Sequence, residues 1–212
     1  MQQKVAAVRA EHQKAIARRK DVLTGTSDYP HLKEKAASVL KVAPVVAPKD
    51  VATPAVTTEA LPRIRFAEPF ELLRDASDRL LTTTGARPSI FLATLGKLAD
   101  FTPRAMFAKS FYEAGGIEAL GNDGFKDQAE MIAAFKKSGA GLAVLCGSDA
   151  AYAEQAVSAA KALSEAGAIV HLAGRPGELE AALKEAGVKA FVFVGCDVLS
   201  TLQASHDSLR AS

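Results

Sequence analysis

Only two cysteines, Cys146 and Cys196, occur among 212 residues. Each closes an apolar run, so both read as free, reduced thiols rather than as a disulfide framework. Charge of one sign is also scarce. The 26 Lys and Arg nearly balance 24 Asp and Glu, leaving a net charge of +2. They are scattered rather than striped, which removes the electrostatic case for nucleic acid. No apolar stretch approaches the ~20 residues of a membrane span, and the N-terminus is charged and helix-like with no apolar signal-peptide core. No membrane partner is expected, and a cytoplasmic protein is. Histidine is sparse and dispersed over His12, His31, His171 and His206. None shares a motif with a second ligand at metal spacing, so the expected metal site is none and a packed or surface role is expected for each. Neither cysteine has a histidine in a recognisable dyad, so no catalytic residue is assigned. Gly121-Asn-Asp-Gly124 reads as a turn, and isolated glycines do not make a nucleotide fingerprint.

Hydrophobic residues make up 49% of the chain, enough for a buried core. Residues 1 to about 20 read as a polar helix, and Asp21 through Pro30 as a short strand and turn. From Ala36 to Pro62 the composition shifts to Ala, Val and Thr, with prolines at 44, 48, 54 and 62 and no period. Proline at that density prevents regular helix and favours extended chain, which predicts a linker over 36–66. A connecting helix is expected over Pro69–Thr82, within a segment 67–86. From Arg87 onward, short apolar runs at Ile90–Leu95, Ile117–Leu120, Leu142–Cys146, Ile169–Leu172 and Ala190–Val194 alternate with helical stripes. One stripe is Ala153, Ala156, Val157, Ala160, Leu163; another is Leu179, Ala182, Leu183, Ala186. Glycines at 115, 139, 167 and 187 stand where helices should close. Residues 87–212 therefore predict an α/β domain, a five-stranded parallel sheet with helices on both faces. The flavodoxin-like strand order 2-1-3-4-5 suits five such units. It places a ligand crevice at the carboxyl end of the first strand.

The loop at that position is the most informative stretch. Ser89-Ile-Phe-Leu-Ala-Thr-Leu95 leads into Asp100-Phe-Thr-Pro-Arg-Ala105 and a helix that stops at Gly115-Gly116. Read locally, Thr102 is a hydroxyl cap and Pro103 a first helical residue, while Asp100 is a solvated loop acid. Ser148 and Asp149 likewise read as a helix cap. The six residues also resemble the Asp-x-His-x-x-Gly of cobalamin-binding domains in carbon-skeleton mutases, with Thr102 in the place of the histidine and Ala105 in the place of the glycine. Ser148-Asp-Ala150 and Ala173-Gly-Arg175 stand where that family has Ser-x-Leu and Gly-Gly. Further stretches carry the same resemblance: Leu61–Glu71, Gly85–Pro88, Phe107–Lys109, Phe111–Glu118 and Leu23–Pro30. The chain is similar to the small, non-catalytic subunits of bacterial methylmalonyl-CoA mutase.

That resemblance implies a heterodimer whose large catalytic subunit binds adenosylcobalamin and interconverts methylmalonyl-CoA and succinyl-CoA. It implies that residues 1–35 are the last helix and strand of an acyl-CoA-binding (β/α) barrel, and that the chain is a C-terminal portion with Met1 internal to a longer protein. An N-terminal helix parted from its barrel would keep an orphaned apolar face and be poorly ordered. The degenerate cofactor positions would be Asp100, Thr102, Ala105, Ser148 and Gly174, with Asp149 and Arg175 intruding on the channel for the cofactor's tail. The competing expectation is a stand-alone flavodoxin-like module that takes another small ligand in the same crevice.

Overall fold

The computed structural model describes residues 2–34 and 65–211. The linker expected over 36–66 lies outside the described residues except for Arg65 and Phe66. Five strands form one parallel sheet: β1 Ser89–Thr94, β2 Glu118–Leu120, β3 Leu142–Cys146, β4 Ile169–Ala173 and β5 Val188–Val192. Their order is β2-β1-β3-β4-β5, the flavodoxin-like order expected. β5 is displaced by two residues from the predicted Ala190–Val194. It starts directly after Gly187, and Val194 lies beyond it, 82% exposed.

The alternation of side chains along each strand builds two cores. Ile90, Leu92, Leu142, Val144 and Cys146 join a cluster with Phe70, Phe101, Phe111, Tyr112 and Leu202. Those partners come from α2 (Glu68–Thr84), α3 (Leu98–Ala114) and α8 (Val198–Ala211). Phe91, Ala93, Ala143, Leu145 and Val170 join Met131, Phe135, Leu163 and Leu183 on the opposite face. These belong to α4 (Gln128–Ser138), α6 (Val157–Glu165) and α7 (Glu180–Glu185). A short α5 (Asp149–Ala151) runs through a π turn, Tyr152–Ala156, into α6.

The N-terminal helix α1 (Gln2–Ala17) buries Ile16, while Val5 and Val8 are exposed, so little of its apolar face is covered by the described residues. The strand expected within Asp21–Pro30 is instead a turn with a single bridge between Thr24 and Asp28. The Leu23 carbonyl there accepts from the amides of Thr26, Ser27 and Asp28, which curls the chain too tightly for a ladder. The turn is nevertheless anchored. Arg74 donates twice to the Gly25 carbonyl, and Arg19 pairs with Asp28 at 2.6 Å.

α2 approaches the entrance to β2 so closely that Ser77 Oγ donates to the Gly116 carbonyl at 2.7 Å. Gly116 has φ +82°, and a methyl group there would sit 2.7 Å from Ser77 Cβ. Left-handed strain and a backbone-backed clash act together, so Gly116→Ala is expected to cost about 2–4 kcal/mol. Urea denaturation checks this; an unchanged midpoint would contradict the close approach.

Candidate functional site

The crevice lies at the carboxyl ends of β1, β3 and β4. The loop after β1 is shorter than its sequence suggests. α3 begins at Leu98, with Lys97 as the extended residue before it. The Lys97 amide donates to Asp100 Oδ2 at 2.9 Å, and the Asp100 amide donates back to the Lys97 carbonyl at 2.8 Å. Asp100 is therefore the third residue of the helix, where a carboxylate satisfies a free amide and complements the helix dipole. It is not a solvated loop acid.

The helix start expected at Thr102-Pro103 is corrected by the same geometry. Both residues lie inside α3. Thr102 Oγ1 turns back along the helix and donates to the Leu98 carbonyl at 2.5 Å. Pro103 is accommodated within the second turn, where its missing amide leaves one helical bond unmade. Thr102 thus presents neither an imidazole nitrogen nor a free hydroxyl to the crevice. Ala105 follows on α3, half-buried against the core.

After β3, Ser148 caps α5 as expected, its Oγ accepting from the Ala151 amide at 3.2 Å. After β4, Gly174 has φ +142°, and a methyl group there would come within 3.3 Å of the Arg104 guanidinium carbon. Arg104 lies across the carboxyl ends of β3 and β4, between the loops that carry Gly147 and Gly174. Its Nη1 donates to the Gly147 carbonyl at 2.6 Å and its Nη2 to Asp149 Oδ1 at 2.5 Å. The guanidinium carbon stands 4.7 Å from the centre of the Tyr152 ring. Burial works against its charge, yet the Asp149 carboxylate and Tyr152 hold the guanidinium above its ordinary pKa.

Tyr152 opens the π turn and is itself fixed. Its hydroxyl lies near the carbonyls of Leu145 (2.9 Å) and Ala173 (2.7 Å), one from each of two adjacent strands. Burial pushes its phenol pKa up. Asp149 projects into solvent, its side chain 89% exposed, so it meets Arg104 at the rim rather than in the channel. The intrusion expected of Arg175 does not occur. That residue is exposed, with its guanidinium 4.6 Å from the Phe193 ring centre, because the aromatic ring after β5 offers it a face. Arg104 and Tyr152 were not singled out from the sequence. The only local sign was an arginine within the six-residue motif, four positions after Asp100.

None of the four histidines joins the crevice. His171 is buried in β4, with Nδ1 2.7 Å from the Tyr112 hydroxyl, and burial lowers its pKa to about 4. His206 on α8 lies with Nε2 2.8 Å from the Gly115 carbonyl. His12 stacks on Phe66, and His31 is exposed. Cys146 ends β3 in the core, where burial pushes its thiol pKa up. Cys196 lies four residues beyond the end of β5, not at it. Among the described residues, no group of three or more His, Cys, Asp or Glu could hold a metal ion. None of their helices is long and apolar enough to cross a membrane.

A nitrogen ligand for cobalt and an open channel for a nucleotide tail are what a cobalamin site requires. The residues present do not fit that group, since Thr102 supplies no nitrogen and the Arg104 guanidinium occupies the space against Gly174.

No protein-family model matches the chain. A search of curated proteins returns close sequence relatives. The methylmalonyl-CoA mutase small subunit of Streptomyces virginiae is 41% identical over 207 residues, covering 97% of this chain and 31% of the relative. The protein of the same name from Propionibacterium freudenreichii subsp. shermanii is 36% identical over 206 residues, covering 96% and 30%. That of Porphyromonas gingivalis is 31% identical over 207 residues, covering 98% and 32%. The chain thus spans about a third of the length of the curated relatives it matches. Among solved structures, the signal receiver domain of a modulated diguanylate cyclase from Desulfovibrio desulfuricans G20 aligns at 17% identity and TM-score 0.41. It covers 59% of this chain and 98% of its own.

Proposed function

The chain is a sequence relative of methylmalonyl-CoA mutase small subunits along nearly its whole length, and from that premise we propose that it is a structural, cobalamin-free part of such a subunit. Its partner is a large catalytic subunit that carries adenosylcobalamin. The assembly is an isomerase of propionate metabolism, interconverting methylmalonyl-CoA and succinyl-CoA in the cytoplasm. This chain supplies no catalytic residue and no cobalt ligand to the reaction. Residues 1–35 belong with the end of an acyl-CoA-binding barrel, 36–66 with the linker, 67–86 with the connecting helix and 87–212 with the degenerate cofactor domain. The observation behind the proposal is the guanidinium of Arg104 lodged between Gly147, Asp149, Tyr152 and Gly174. A crevice filled by the chain's own side chain suits a subunit that scaffolds rather than binds the cofactor.

Coexpression with a large subunit bearing an intact Asp-x-His-x-x-Gly tests this reading. The two chains are expected to copurify, with all cobalamin on the larger one. Elution of the large subunit alone, or a discrete small ligand carried by this chain as a monomer, would favour the stand-alone module instead.

A further inference from the structure

The Gly147 carbonyl, Gly174 and the Tyr152 ring beside the Arg104 guanidinium are positioned without its help. Gly147 follows directly from β3, and Gly174 follows β4 with no side chain to move. Tyr152 is held by carbonyls of both strands. The Ser148 cap fixes the backbone of Asp149 at the start of α5, while its exposed carboxylate meets Arg104 at the rim. Together they present one carbonyl, one carboxylate and one aromatic face, which are the features that recognise a planar, multiply donating cation. An ammonium group would satisfy the charge but would not serve the Gly147 carbonyl and the Asp149 carboxylate from one planar fork lying over the Tyr152 ring.

We propose that the crevice holds a guanidinium socket, occupied in cis by Arg104 and selective for amidinium-type cations once that side chain is removed. The proposal deepens the reading of a filled crevice and rests on it, but it concerns what the socket recognises rather than which subunit the chain accompanies. Because Asp149 is nearly all exposed, its charge is screened and contributes less than the carbonyl and the ring. The socket should therefore survive moderate salt.

The test is thermal unfolding of the full chain as Arg104→Ala, titrated with ethylguanidinium, which restores most of the atoms removed. The melting temperature of the variant is expected to rise saturably by about 3 °C, while the wild type does not respond. Ethylammonium at the same concentration should do markedly less, and adding Asp149→Ala should weaken the response without abolishing it. Equal responses of wild type and variant, or equal effects of the two cations, would overturn the socket. A measurement on the wild type stands independently of how well the variant folds. In its nitrogen-15 spectrum the Arg104 guanidinium should show slowed rotation and protected Nη protons, in contrast to the exposed Arg175. Indistinguishable behaviour of the two arginines would also overturn it. Copurification with a large subunit is untouched by either result, so failure here leaves that reading separately decidable.

Discussion

Between pH 6.5 and pH 4 the chain is expected to lose about 3 kcal/mol of folding stability through His171 alone. The imidazole sits within β4, 5% exposed, and among the described residues its hydrogen-bonding neighbour is the Tyr112 hydroxyl on α3. Burial drives its pKa from the ordinary 6.5 down to about 4. The unfolded chain therefore takes up a proton near pH 6.5, while the folded chain resists until about pH 4. Across that window the unfolded state binds more protons, so stability falls as pH falls and is fully present above 6.5. Tyr112 cannot compensate, since burial raises its own pKa and keeps it neutral. His206 is shifted downward by burial as well and adds to the loss in the same direction. Denaturant unfolding at a series of pH values measures the effect, with His171→Asn as the comparison. Asparagine offers Tyr112 an acceptor but does not titrate, so the variant should show a visibly shallower decline across the window. Parallel declines in the two proteins would contradict the assignment.

The residues of this dyad show where sequence reading runs out. Short apolar runs reveal β1, β3 and β4, because strands buried on both faces leave no alternation in stretches such as Leu142–Cys146. The helices that cover them are legible from their stripes, because each buries one face only, as α6 does with Ala159, Ala160 and Leu163. At the boundary of α3 two local signals compete. Thr102-Pro103 looks like a helix start, yet Asp100 three residues after Lys97 carries the stronger reciprocal bond. Tyr112 and His171 are 59 positions apart, and no local pattern announces their meeting. Arg104 reaches Gly147 and Asp149 across 43 and 45 positions. Only the parallel crossover, which stacks the carboxyl ends of β1, β3 and β4 along one edge, brings these groups together. The missing histidine could be read from six residues; what occupies the space could not.

That distinction governs the response to adenosylcobalamin, for which the expected result is no binding at all by the isolated chain. A histidine-ligated, base-off spectrum needs an imidazole below the cobalt, and Thr102 instead donates its hydroxyl to Leu98. It also needs a channel for the nucleotide tail, and Arg104 stands against Gly174 with two hydrogen bonds and an aromatic face to hold it. Restoring the ligand by Thr102→His is therefore expected to leave affinity too weak to detect. Inside the helix, residue 102 is fixed ahead of Pro103, so the new imidazole cannot swing out as it would from a loop. The double variant Thr102→His with Arg104→Gly removes the occupant as well as restoring the nitrogen, and gains most if Ala105 is also returned to glycine. Expulsion of the guanidinium leaves the Gly147 carbonyl without its donor, a loss of about 1–3 kcal/mol that any cofactor must first offset. Titration of the wild type, the single variant and the combined variant with adenosylcobalamin, followed by visible absorbance, separates the contributions. Stoichiometric binding by the wild type would refute the cobalamin-free role. Tight binding by Thr102→His alone would show that the ligand, and not the occupied channel, is what keeps the cofactor out.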